Sequence, residues 1–173
     1  MREMVTVLVI AVVAVALVVA SLLRRARRGE CLVVTRHRRI VRIASDSMTL
    51  AVPGFHEVLE WPTGETEIAI VVRAQAGDGQ DVRVLATVSV AVDPPRVGTA
   101  YVDPRGVLHS ALERKVADAI HVLSADRLLD TYDGLAVAID GIRLGGLAGG
   151  VVTGVTIDEV DLLLRPEHPD LDG

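Results

Sequence analysis

The side chains that could carry chemistry in this 173-residue chain are few and scattered. The histidines are His37, His56, His109, His121 and His168, with no HExxH or HxH spacing among them. His109 and His121 would stand about three turns apart on one helix, too far to share a metal ion. Ser110 adjoins His109, but neighbours on a helix diverge in direction and do not make a nucleophile–base pair. The run Gly145-Gly146-Leu147-Ala148-Gly149-Gly150 lacks the GxGxxG order and follows no clear strand, so it reads as flexible helix termination rather than a phosphate loop. These residues lead to the expectation of a chain with no catalytic residue, no metal and no cofactor.

Two other residue classes have chemistry of a different kind. Cys31 is the only cysteine, which rules out an internal disulfide or a CxxC pair. It lies eight residues beyond an apolar segment, where acylation at a membrane surface is conceivable. The plainer reading makes it a small apolar residue of a first strand. The arginines are more pointed. Residues 1–42 hold nine arginines against Glu3 and Glu30, whereas residues 43–173 hold nine basic and 21 acidic side chains. A basic collar followed by an acidic body suits an anionic membrane surface. It does not suit nucleic acid, whose phosphates the body would repel. Arg24, Arg25, Arg27 and Arg28 would orient the apolar segment. Arg36, Arg38, Arg39 and Arg42 are further candidates for headgroup contact, with solvation or pairing to Glu57, Glu60, Glu65 or Glu67 as the alternative. Arginine so outnumbers lysine (Lys115 stands alone) that a GC-rich, bacterial source is suggested.

The apolar segment runs from Val5 to Leu23, with Thr6 and Ser21 its only polar residues. As a helix it spans roughly 28 Å, close to the hydrocarbon thickness of about 30 Å. A buried core helix rarely stays apolar this long. A cleaved signal peptide fits poorly, because Ala14-Val15-Ala16 lies mid-segment and Glu3 offsets Arg2. A retained transmembrane helix is the better reading. The arginines that follow it place its C-terminal side, and hence the rest of the chain, in the cytoplasm, with the N-terminus outside.

The remaining elements form an α+β sequence. Half of the residues are apolar but only 2% are aromatic, so an aliphatic core is expected. Residues 31–35 and 39–43 read as a strand pair, and 48–52 as a strand closed by Pro53-Gly54. Residues 66–73 and 81–92 alternate, with Thr66, Ile68, Ile70 and Val72 and then Val82, Val84, Ala86, Val88, Val90 and Val92 on one face. Ala76-Gly77-Asp78-Gly79 joins them as a hairpin turn. The period then changes. Asp103-Pro104 starts a helix carrying Leu108, Ala111, Leu112, Val116, Ala119, Ile120 and Leu123 on its apolar stripe. Ser124 should cap a short second helix with Leu128-Leu129 inward, and a third, weakened by glycines, should run over 134–147. Residues 151–164 return to strand with a bulge near Asp158-Glu159. The domain plan is an anchor with its collar over 1–28, a folded domain over 29–165 and an acidic tail over 166–173.

In this order the motifs resemble the SPFH (band 7) superfamily, which includes stomatins, prohibitins and flotillins. The carriers are Arg28-Gly29-Glu30-Cys31 after the anchor and Val52-Pro53-Gly54-Phe55-His56. Gly77-Asp78-Gly79 with the valine-rich strand after it continues the series. Asp93-Pro94, Tyr101-Val102-Asp103-Pro104, Ser124-Ala125-Asp126-Arg127-Leu128-Leu129 and Gly154-Val155-Thr156-Ile157-Asp158-Glu159-Val160 complete it. The chain departs from the family in having Gly149-Gly150 where an aromatic-containing segment is usual, and in stopping before a long coiled coil. The resemblance implies a non-catalytic membrane scaffold or regulator that organises membrane regions. Its implied partners are lipids and neighbouring membrane proteins, including proteases or channels, and without the coiled coil its self-association should be weak. A membrane-tethered enzyme or small-molecule binding domain of another α+β fold is the alternative.

Overall fold

The computed structural model describes residues 2–45, 48–50, 54–130 and 133–163, with the side chains at 2–4, 18, 21–24, 48 and 50 outside that description. The expected tail over 166–173, the end of the domain at 165, and Val52 and Pro53 of the expected turn lie outside the described residues. The chain divides into two compact units, Met1–Thr63 with Pro94–Val102, and Gly64–Asp93 with Asp103–Gly173. The class is α+β, with β-rich sheets followed by helices and a final strand.

The first unit opens with α1 (Arg2–Leu22). It contains neither glycine nor proline to interrupt it. Its described apolar side chains are exposed, with Val5, Leu8, Ile10, Val12, Val15 and Leu17 at 59% to 67%. Among the described residues no helix is long and apolar enough to cross a membrane. The unbroken run of described side chains in α1 covers residues 5–17, roughly 20 Å of helix against about 30 Å of hydrocarbon.

After α1, β1 (Leu23–Arg25) pairs antiparallel with β4 (Met48–Leu50), Leu23 opposite Leu50. A separate antiparallel sheet has the order β3-β2-β5, built from β2 (Glu30–Arg36), β3 (Arg39–Ser45) and β5 (Glu57–Pro62). β2 is central, and five consecutive residues from Cys31 to Thr35 are buried, so it is covered on both faces. Residues 94–102 extend the sheet at β3. Ile40 N–H donates to the Thr99 carbonyl (2.9 Å), and Tyr101 N–H donates to the Arg38 carbonyl (2.8 Å). Tyr101 also meets the buried Trp61 edge to face, with ring centres 6.2 Å apart.

The second unit is one four-stranded antiparallel sheet in the order β6-β7-β9-β8, from β6 (Gly64–Gln75), β7 (Asp81–Val92), β8 (Arg143–Leu144) and β9 (Gly150–Leu162). The expected alternation holds: Ile68, Ile70 and Val72 on β6, and all six even-numbered residues from Val82 to Val92 on β7, are buried. β9 carries the expected bulge. Leu85 pairs with Glu159 and Ala86 with Ile157, leaving Asp158 as the extra residue, and Thr153 is skipped in the same way farther along. α2 (Pro104–Val122) lies against β6 with Leu108, Leu112, Val116 and Ile120 buried. Asp103 caps it, accepting from the Arg105 and Gly106 N–H groups (both 3.2 Å). α3 (Ala125–Asp130) and α4 (Asp133–Ile139) follow.

Several sequence expectations are corrected. The first N–H of α3, at Ala125, is capped by Asp78 from the tip of the β6–β7 hairpin (2.8 Å), not by Ser124. Beside it, Gly77 N–H donates to the Leu123 carbonyl (2.7 Å). A side chain at Gly77 would place Cβ 3.0 Å from the His121 carbonyl oxygen, so anything larger than glycine would push this approach apart by a few tenths of an ångström. Leu129 faces outward at 38% exposure while Leu128 alone packs in. The helix expected over 134–147 stops at Ile139, because Gly141 turns left-handed (φ 70°) and residues 142–144 join the edge of β9. Gly149-Gly150 starts a strand instead of ending a helix; Cβ on Gly150 would stand 2.7 Å from the Ala91 carbonyl oxygen. β7 is not an edge. Its Arg83 donates from Nε to Asp161 Oδ2 across the ladder (2.9 Å), and Asp161, aided by Glu159, holds the guanidinium more firmly charged. The outer strand of the hairpin is β6.

The docked hairpin tip yields the first prediction. Asp78→Ala should lower the stability of the full chain by about 1 kcal/mol, the usual cost of losing a cap, and Gly77→Ala should cost more. Urea unfolding in detergent, followed by circular dichroism, measures both. An unchanged midpoint for Asp78→Ala would remove the capping role.

Candidate functional site

The collar arginines do not form one cluster. Arg24 and Arg25 belong to β1, the side chain of Arg24 lying outside the described residues. Arg27 and Arg28 lie in the turn before β2, and Arg27 reaches Glu60 of β5 at 3.9 Å with both partners largely exposed. A pair so exposed contributes little. Arg36, Arg38 and Arg39 gather at the β2–β3 turn, and Arg42 points to solvent farther along β3. Among the described residues no ion pair joins Arg36, Arg38, Arg39 or Arg42 to a carboxylate. Their charges are solvated.

The β2–β3 turn is unusual. Arg36 pairs with Arg39, so His37 and Arg38 are the two central residues, and both have positive φ (50° and 61°). Such a two-residue turn is ordinarily filled by Asn-Gly or Asp-Gly, since side chains with Cβ are strained in the left-handed region. Antiparallel pairing brings a second segment to the same end of the sheet: Thr35 stands opposite Glu57, so residues 54–57 flank the turn. Between them is a recess of about 550 Å³ lined by Thr35, Arg36, His37, Arg38, Gly54, Phe55, His56 and Glu57. Phe55 is the only phenylalanine in the chain and is 68% exposed at its rim. The sequence singles out the arginines of this turn, and His37, Phe55 and His56 are in plain view, but nothing in it joins them to those arginines or reveals the recess. Those residues are about twenty positions apart and meet only through the β2–β5 pairing, for which no pattern of alternation gave a signal.

The remaining candidates stay dispersed. Cys31 is 1% exposed within β2, and burial pushes its thiol above its ordinary range, a shift its own backbone hydrogen bond partly offsets. His109 lies 3.6 Å from Glu113 one turn on along α2, Ser110 and His121 face solvent, and His168 lies outside the described residues. Among the described residues no group of three or more His, Cys, Asp and Glu could hold a metal. The burial of Cys31 makes a prediction: a maleimide should react slowly with the folded protein and fully after denaturation. Fast labelling of the native chain would show that the strand opens readily.

Comparison with known families places this geometry. A model of the SPFH domain / Band 7 family matches residues 24–142. That range takes in β1, the three-stranded sheet with its basic turn, the long hairpin and all three helices of the second unit. No curated protein gives a significant match to the chain. With more than half of its residues matched by the family model, the chain belongs to the SPFH domain / Band 7 family.

Proposed function

We propose that the chain is a non-catalytic, single-pass membrane scaffold or regulator that organises its surroundings in the bilayer. The observation that carries this reading is the helix α1, whose described side chains, over residues 5–17, lie exposed on all sides. Exposed apolar surface on this scale marks an interaction site, and a helix that is apolar all round suits lipid better than the one-sided groove of a partner protein. The sequence continues apolar from Val5 to Leu23, long enough to span when taken whole. Membership of the SPFH domain / Band 7 family supports a membrane-associated scaffold role. Lipids and neighbouring membrane proteins, a membrane protease among them, are the partners that follow.

The orientation comes from the flanks. Arg24, Arg25, Arg27 and Arg28 follow the helix, while only Arg2 precedes it, so the folded units face the cytoplasm and the N-terminus faces outward. In spheroplasts, protease added outside should leave a C-terminal tag intact. Loss of the tag while the membrane remains sealed would reverse the orientation.

Self-association is weak in this reading. β6 is an outer strand of its sheet, and an outer strand can pair with a second copy. Its outward Glu65, Glu67 and Arg73 oppose tight pairing, and confinement to a bilayer raises the effective concentration. The full chain should be monomeric or dimeric in detergent and cross-link into clusters in membranes. A large ring that persists in detergent would contradict this.

A further inference from the structure

We propose that the recess at the β2–β3 turn binds a phosphate ester group, supplied by an anionic phospholipid of the leaflet where α1 ends. The proposal rests on the anchor reading above and adds a specific ligand site to it.

Four observations converge. The lining supplies two guanidinium groups, Arg36 and Arg38, and two imidazoles, His37 and His56, against one carboxylate, Glu57. Guanidinium groups recognise phosphate oxygens through paired donors. Second, the turn keeps His37 and Arg38 in left-handed backbone geometry that Asn-Gly would adopt with less strain. Strain retained at a surface turn points to a role for the side chains that it presents. The backbone beneath is fixed, since the Arg38 carbonyl accepts from Tyr101 N–H (2.8 Å) and Ile40 is bonded on both sides by residues 98 and 99. Third, a chain with almost no aromatic residues places its single phenylalanine, Phe55, exposed on the rim. An aromatic ring beside cationic groups suits the boundary of headgroups and acyl chains. Fourth, the covalent path keeps the recess near the end of the apolar segment. Leu50 pairs with Leu23, at a separation of about 5 Å. Gly54 follows four residues later, no more than about 14 Å away along the chain. The recess therefore lies no farther than roughly 20 Å from Leu23, a reach that allows contact with headgroups lying in the roughly 5–8 Å beyond the hydrocarbon.

The site takes phosphate through Arg36 and Arg38, while Phe55 rests on the upper acyl region. Glu57 works against the anion, so its neutralisation should tighten binding.

The test is native mass spectrometry of the full chain in detergent with added phosphatidylglycerol, phosphatidylcholine or glycerol 3-phosphate. One phosphatidylglycerol should be retained in preference to phosphatidylcholine. R36Q/R38Q should weaken retention on the order of tenfold, and E57Q should strengthen it. H37N/R38G separates binding from folding: it relieves the turn, so the thermal midpoint should hold or rise while lipid retention falls. Wild-type retention by H37N/R38G, or equal retention of phosphatidylcholine, would overturn the site. Displacement of the lipid by equimolar glycerol 3-phosphate would overturn the lipid as its source. Flotation of the same variants with vesicles after an alkaline wash reports on the anchor alone. Variants that float but retain no lipid leave the anchor reading intact, and a chain that fails to float removes it.

Discussion

Every second residue of β7, from Val82 to Val92, is buried, and both edges of the strand are occupied, by β6 on one side and β9 on the other. The second unit depends on that one face. A slip of one residue against either neighbour would turn six core side chains to solvent, so the register is fixed by burial rather than by any single hydrogen bond. Each fully buried valine contributes about 1.5–3 kcal/mol, so the face taken together outweighs a single cap or ion pair such as Asp78–Ala125 or Arg83–Asp161. The bulges at Asp158 and Thr153 let β9 follow a twisted partner without losing the shared face. The hairpin then does a second job at its far end, where Gly77 and Asp78 tie the junction between α2 and α3 to the sheet.

The first unit works from a different constraint. β2 is covered on both faces and leaves its charged residues only at its ends. A buried central strand with a tight two-residue turn presents Arg36, His37, Arg38 and Arg39 together. The same pairing brings Gly54, Phe55 and His56 beside them. The basic face is thus a consequence of where an aliphatic strand must stop. The proposed anchor precedes this sheet by only a few residues, so the solvated arginines and the exposed helix both fit the proposal of a domain held at an anionic surface.

Much of this was legible because it is local. The alternation of β6 and β7, the Asp103-Pro104 start of α2, the stripe from Leu108 to Ile120 and the bulge at Asp158 all follow from period and from residues adjacent in sequence. What escaped is tertiary. β5 reads EVLEWP, with glutamates on no consistent face and a terminal proline, and becomes a strand only because β2 offers it an edge. β8 is two residues long and exists through its pairing with β9. Asp78 looks like a turn residue, and nothing nearby reveals that its carboxylate caps a helix 47 residues away. The glycines at 149 and 150 suggested flexibility but mark close packing against β7. In the candidate site the arginines stood out as a charge run, whereas the recess is assembled from two segments that no short-range pattern connects.

The central claim is that the apolar segment crosses the bilayer and holds the folded units at its surface. A nitroxide scan through residues 5–23, on a Cys31→Ala background in reconstituted vesicles, addresses it most directly. A spanning helix predicts that oxygen accessibility rises to a single maximum near residue 14, while accessibility to a water-soluble nickel chelate falls to its minimum at the same position. Chelate access that stays high throughout, or that oscillates with a helical period as for a helix lying on the surface, would contradict the account.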